Sequence, residues 1–169
     1  MNHILMPRKK IKLITLDLDD TLWPNKKVIV DAERAWLNFI HLKFPDLNDE
    51  FNEDSLTRIK VDLIEVDPSL RNDLTRFRKE IIKEALLRSG IESVDAIYYS
   101  NESFNEFFKV RNKVQLYAGV KKILERLYRK VTIGALSNGN ADLEIIGISD
   151  FFKFNLTSKD VKSNKPSPP

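Results

Sequence analysis

No cysteine occurs among the 169 residues, which excludes disulfides, thiolate metal sites and cysteine nucleophiles. No apolar run approaches the length needed to span a bilayer, and the stretch 1–10 lacks the apolar core of a signal peptide. These absences make a cytoplasmic protein with no membrane partner the expectation. A basic stripe of the kind that tracks nucleic acid is also missing. The formal net charge of +3 arises from cations interleaved with acids, as in Arg71-Asn72-Asp73 and Arg78-Lys79-Glu80, the pattern of a solvated helix face. Lys153, Lys159, Lys162 and Lys165 bias the charge late in the chain, which is read as surface plus one functional lysine, with no nucleic-acid partner. There is no internal repeat, and low complexity is confined to Lys165-Pro166-Ser167-Pro168-Pro169. What remains is an ordinary globular composition, 42% hydrophobic and 31% charged, long enough for one core or a modest core plus a small second unit.

The most informative stretch is Ile11-Lys12-Leu13-Ile14-Thr15-Leu16-Asp17-Leu18-Asp19-Asp20-Thr21. Ile11, Leu13, Ile14 and Leu16 supply the apolar run of a buried parallel strand, and the run ends in acid. Carboxylates there suit the mouth of an open α/β sheet, where ligands bind beyond the carboxyl ends of the strands. Alternation along the strand projects Asp17 and Asp19 to one side and Leu18 away from it. Two carboxylates so close repel unless a cation sits between them or one is protonated. The plainer alternative is a capped turn, with Asp19 or Asp20 accepting backbone N–H groups at a helix start.

A second apolar strand is expected over 130–136, ending in Ser137-Asn138-Gly139-Asn140. A hydroxyl and exposed backbone N–H groups at a strand end can hold phosphate oxygens. Further on, Lys165-Pro166 offers a cation. Between the two strands, from 28 to 113, apolar residues recur at helical spacing. Ala32, Ala35, Trp36, Phe39 and Ile40 mark one helix, stopped by Pro45, and Leu56, Ile59, Leu63 and Ile64 mark a second, stopped near Asp67-Pro68. Leu70, Leu74, Phe77, Ile81, Ile82, Ala85 and Leu86 mark a third, ended by Ser89-Gly90. Ala96, Tyr99, Phe104, Phe107, Phe108 and Arg111 mark a fourth, with a break expected near Ser100. Short helices over 120–128 and 143–148, a third strand over 152–156 and a polar tail over 157–169 complete the pattern.

Asp17-x-Asp19-x-Thr21 after a strand, Ser137 ending a second strand and Lys165-Pro166 beyond it, in that order, resemble the first three signatures of the haloacid dehalogenase-like (HAD) hydrolase superfamily, most of whose members are phosphatases. The resemblance implies a Rossmann-like α/β parallel-sheet core over 1–24 and 114–169, incomplete with about three strands. It also implies an inserted helical cap of the C1 type over 25–113, closing over the strand ends. It further implies Asp17 as nucleophile, Asp19 as general acid and base, and Thr21 orienting the acidic loop. Ser137 and Asn138 would hold phosphate oxygens, and Lys165 would offset negative charge. Mg²⁺ would be held by Asp17 and by the backbone carbonyl of Asp19. An acid at position 19 favours a phosphatase over a dehalogenase, which has no leaving alkoxide to protonate.

Asp73-Leu74-Thr75-Arg76-Phe77-Arg78, with Ser137-Asn138-Gly139-Asn140 and Gly147-Ile148-Ser149-Asp150-Phe151-Phe152, is similar to bacterial flavin-pathway phosphatases of this superfamily. Those act on 5-amino-6-(5-phospho-D-ribitylamino)uracil and FMN, so a small phosphorylated metabolite is the implied partner. Arg76 and Arg78 are candidates for its distal group. Nucleotide and sugar phosphates are the alternative substrates. The superfamily's fourth signature, a pair of acids after another strand, has no counterpart, so the chain is expected to stop within or just after the third. An open edge on the first strand, self-association through that edge and weak Mg²⁺ binding follow as expectations. The rival of another class is a non-catalytic module that binds a phosphorylated ligand or a partner.

Overall fold

Three parallel strands, β1 (Leu13–Leu16), β2 (Thr132–Ser137) and β3 (Phe154–Thr157), pair in the order β1-β2-β3. The computed structural model describes residues 10–47 and 51–167. Most of the stretch 1–10 and the final two prolines, both noted above, lie outside the described residues. Leu16 aligns with Ala135 and Ser137 with Thr157, so the carboxyl ends of all three strands emerge on one side. The central strand has the burial expected of a parallel sheet, with Ile133 and Ala135 fully enclosed. β1 differs from the expectation of a buried strand. It lies at the sheet edge among the described residues, and Leu13 is 49% exposed.

Parallel neighbours require a crossover, and the one between β1 and β2 begins with four packed helices. They are α1 (Lys26–Lys43), α2 (Glu53–Val66), α3 (Leu74–Arg88) and α4 (Ser93–Arg111). The apolar stripes meet as their spacing predicts. α1 packs along α4, α4 along α3 and α3 against α2. Their shared core is built on Ala32, Trp36 and Ile40, on Ile81, Ile82, Ala85 and Leu86, and on Ala96, Phe104 and Phe107. Each large side chain enclosed there contributes roughly 1.5–3 kcal/mol of hydrophobic stabilisation. A second cluster, with Leu18, Leu22, Trp23, Ala135, Ala141, Leu143 and Ile148, packs the sheet against the loops at its carboxyl end.

Three boundaries differ from the sequence expectation. Leu70 belongs to a separate 3-10 turn (Pro68–Asn72) and not to α3. Asp67 accepts from Ser69 N–H and Asp73 from Arg76 N–H, so each aspartate starts its own segment. α4 runs unbroken through Ser100, whose hydroxyl donates to Ile97 O at 2.9 Å and is satisfied within the helix. The polar tail contains a helix, α7 (Ser158–Val161), opened by a capping box in which Thr157 N–H and hydroxyl donate to Asp160 at 2.8 and 2.7 Å. Those donors, the backbone first and the hydroxyl second, hold the Asp160 carboxyl below its usual range. Two shorter helices follow the expected positions, α5 (Val120–Tyr128) ahead of β2 and α6 (Leu143–Ile146) after it. No helix among the described residues is long and apolar enough to cross a membrane.

Gly134 faces Phe154 across β2 and β3, and a Cβ at Gly134 would lie 2.1 Å from Phe154 Cζ. Gly134→Ala is therefore expected to destabilise the fold by about 1–3 kcal/mol through overpacking. Adding Phe154→Leu to that variant should recover part of the loss, and thermal melts of the single and double variants check both outcomes.

Candidate active site

The acidic turn after β1 is fixed by the chain around it. Leu18 is buried, and its carbonyl accepts from Leu22 N–H at 2.8 Å, which folds the segment back on itself. Asp20 takes the left-handed conformation (φ 57°), which aspartate tolerates better than most residues, and its side chain accepts from Asn25 N–H at 2.8 Å. Asp20 is thus a turn residue, as the plainer reading allows. Asp17 and Asp19 are not. Both line a pocket of about 300 Å³ at the carboxyl end of the sheet, together with Ser137, Asn138 and Lys165.

The second and third motifs reach this pocket by specific contacts. Ser137, buried at the end of β2, accepts from Gly139 N–H at 2.9 Å and so sets the following loop. Asn138 grips the backbone of Lys165 at both ends. Its Oδ1 accepts from Lys165 N–H at 2.8 Å, and its Nδ2 donates to Lys165 O at 3.1 Å. Held there, Lys165 Nζ donates to Asp17 Oδ1 at 2.9 Å and to Leu136 O at 2.5 Å. Ser158 Oγ bonds Asn72 O at 3.0 Å and Asn164 Nδ2 bonds Arg71 O at 2.9 Å, which fastens the segment carrying Lys165 to the helical part.

Each carboxylate has its own cation. Lys165 serves Asp17, whose side chain is 45% exposed towards solvent. Arg111, the last residue of α4, serves Asp19. Its Nη2 lies 2.7 Å from both carboxylate oxygens, and Trp23 Nε1–H donates to Asp19 Oδ1 at 2.9 Å. Separate cationic partners offset the expected repulsion between the two acids. Arg78 also lines the pocket, its guanidinium 4.5 Å from the Phe107 ring centroid. Burial pushes the Arg78 guanidinium below its ordinary value and Arg111 adds to this, while Glu33 and Asp19 oppose it.

Not every residue singled out by sequence comes here. Thr21 is exposed and does not line the pocket, because the turn that buries Leu22 and Trp23 directs it outward. Arg76 is half exposed, ion-paired with Asp67 at 2.8 Å, and also stays outside. Among the described residues no group of three or more His, Cys, Asp and Glu is gathered. A larger cleft of about 540 Å³ adjoins the pocket and shares Asn138, Gly139 and Asn140 with it, but lacks Asp17, Asp19 and Lys165. Asp17, Asp19 and Lys165 gather at the smaller one.

The model of the haloacid dehalogenase-like hydrolase family matches residues 11–169. The chain belongs to that family. Among curated relatives, this hydrolase is 33% identical over 160 residues to 5-amino-6-(5-phospho-D-ribitylamino)uracil phosphatase YigB of Escherichia coli K12, covering 95% of the chain and 67% of the relative. Among solved structures, it is similar to 2-haloacid dehalogenase from Pseudomonas syringae pv. Tomato DC3000, with 36% identity and a TM-score of 0.90, covering 94% of the chain and 68% of that protein. YfnB of Bacillus subtilis, solved bound to magnesium, is 19% identical with a TM-score of 0.56 over 94% of the chain and 70% of that protein, and shows the shared fold.

Two features of this hydrolase's pocket lie beyond what the sequence motifs indicate, the placement of Arg111 and the close packing at Gly139. Arg111 looks like one more member of the α4 packing face, and the available signal was a charge on an otherwise apolar stripe beside Phe104 and Phe107. Gly139 packs so closely that a Cβ there would lie 2.3 Å from Asp19 Oδ2. The Asn138 grip has a measurable consequence. Asn138→Ala removes both bonds to the Lys165 backbone, and is expected to raise amide exchange across 162–165 by about tenfold with little change in the melting temperature.

Proposed function

We propose that this chain is a phosphomonoester hydrolase working through an aspartyl-phosphate on Asp17. The observation that carries the reading is the convergence of Asp17 and Asp19 with Ser137, Asn138 and Lys165 on one small pocket. Asp17 Oδ attacks phosphorus, which divides hydrolysis into two displacements. Asp19 gives its proton to the departing alkoxide and then takes one from the water that attacks the intermediate. The Ser137 hydroxyl and Asn138 N–H hold phosphate oxygens, and Lys165 Nζ offsets charge on nucleophile and phosphate. Thr21 acts indirectly, as part of the turn that shapes the acidic loop. The helical segment 25–113 serves as a cap over a core formed by 1–24 and 114–169, with Arg78 and Arg111 as its contributions to the pocket.

The donor set fits Mg²⁺, a hard cation that takes few protein carboxylates and completes its shell with water and phosphate. Asp17 would hold it through its carboxylate. Asp19, whose side chain is engaged by Trp23 and Arg111, would offer its backbone carbonyl. When bound, the ion screens the charge between nucleophile and phosphate.

For the substrate we propose a small flavin-pathway phosphate, 5-amino-6-(5-phospho-D-ribitylamino)uracil or FMN. Support comes from the name of the Escherichia coli relative and from the cations, Arg78 among them, that line the pocket beside the acids. The similarity to a 2-haloacid dehalogenase favours a second reading, halide displacement by Asp17. The acid at position 19 weighs against it, since halide needs no proton. Phosphate release from FMN, p-nitrophenyl phosphate and sugar phosphates, beside halide release from 2-chloropropionate, separates the readings. Asp17→Asn is expected to lower phosphate release by more than about a thousandfold, and chelation by EDTA to suppress it until Mg²⁺ is restored. Unchanged turnover in Asp17→Asn would remove the proposed nucleophile.

A further inference from the structure

Arg111 is a costly residue where it stands. It is 1% exposed, and its Nε and Nη1 are buried with no hydrogen-bond partner. Unpaired donors on an enclosed cation weigh against the fold. Packing does not call for a charge at this point, because Phe104 and Phe107 share the same face of α4 and are both buried. An apolar side chain would continue that face without the cost. What the guanidinium does, and an apolar group could not, is hold Asp19.

The hold is tight on three sides. Nη2 sits 2.7 Å from each oxygen of Asp19, and the Trp23 indole N–H donates to Oδ1 at 2.9 Å. Gly139 closes the third side, where a Cβ would come within 2.3 Å of Asp19 Oδ2 and 3.2 Å of Arg111 Nη2. The carboxylate has little room to rotate. Asp19 stands on the turn that follows β1 and Arg111 on the last turn of α4, so the pair also fixes the helical segment against the strand tips.

We propose that Arg111 is a positioning residue for Asp19, aiming its carboxyl at the oxygen that leaves the substrate. In the first displacement the Asp17–phosphorus bond forms and the bond from phosphorus to the leaving oxygen breaks. The electron pair stays on that oxygen, which takes the proton from Asp19. The step served rests on the phosphatase reading above, whereas the placement of Asp19 does not.

Two readouts test the proposal in the full chain. The chain has two tryptophans, so the indole N–H region of a ¹H–¹⁵N spectrum holds one reporter bonded to Asp19, Trp23, and one internal control, Trp36. In Arg111→Met the Trp23 signal is expected to move while that of Trp36 stays. Gly139→Ala, which keeps the arginine but displaces the carboxylate, should move the same signal. In kinetics, Arg111→Met should lower kcat/KM, which reports the first displacement, about tenfold more for β-glycerol phosphate than for p-nitrophenyl phosphate, whose leaving group needs no proton. Arg111→Lys, able to restore one nitrogen contact, should recover part of that difference. An unmoved Trp23 signal, or equal losses on the two esters, overturns the proposal. Failure of the wild-type chain to hydrolyse either ester would instead remove the phosphatase reading, and the Trp23 signal would still decide whether Arg111 places Asp19.

Discussion

The parallel register between β1 and β2 is the constraint on which everything at the pocket depends. Leu16 stands beside Ala135, so the next residues of the two strands, Asp17 and Leu136, emerge together, with Ser137 one step beyond. A slip of one residue would turn Asp17 and Asp19 to the opposite face and point Leu18 into the pocket. Leu18 opposes such a slip because it is enclosed with Leu22, Trp23 and Ala135 in the cluster beneath the loops. Hydrophobic burial therefore sets the direction of the two acids, although neither acid belongs to the core.

Once aimed, the acids are held by charge. Asp17 and Asp19 each take a cation from a different part of the chain, Lys165 from the segment after α7 and Arg111 from the end of α4. Neutral bonds reinforce the same junction. Asn140 Nδ2 reaches Thr75 Oγ1 at 3.2 Å, and Asn112 Oδ1 accepts from Asp142 N–H at 2.8 Å. The helical segment thus meets the strand tips through ion pairs and amide contacts, while its own apolar core stays separate from that of the sheet. Polar junctions of this kind exchange partners at less cost than a shared hydrophobic core.

What the sequence makes legible follows from periodicity and end chemistry. The stripes of α1 to α4 bury as their spacing indicates, and α5 spans the residues expected of it. Asp17, Ser137 and Lys165 meet because parallel strands place two of them at one end of the sheet and Asn138 draws in the third. The rest depends on partners that local pattern does not contain. Asp73 divides the third helical stripe by capping its own segment, and Thr157 with Asp160 opens a helix in what composition alone shows as a tail. Ser100 looks like a break until its hydroxyl is seen bonding within the helix. Arg111 resembles a packing residue because its partner, Asp19, lies 92 positions away. Thr21 and Arg76 fit the motif by spacing but are turned aside by the local turn and by Asp67.

The contact between Lys165 and Asp17 joins residues 148 positions apart. During synthesis the acidic loop leaves the ribosome early, and its counter-charge emerges only near the end of this stretch of chain. The helices between them can pack in that interval, since their contacts are local in sequence by comparison. A nascent chain paused before residue 165 would therefore display a formed helical core beside an acidic loop that still lacks its lysine.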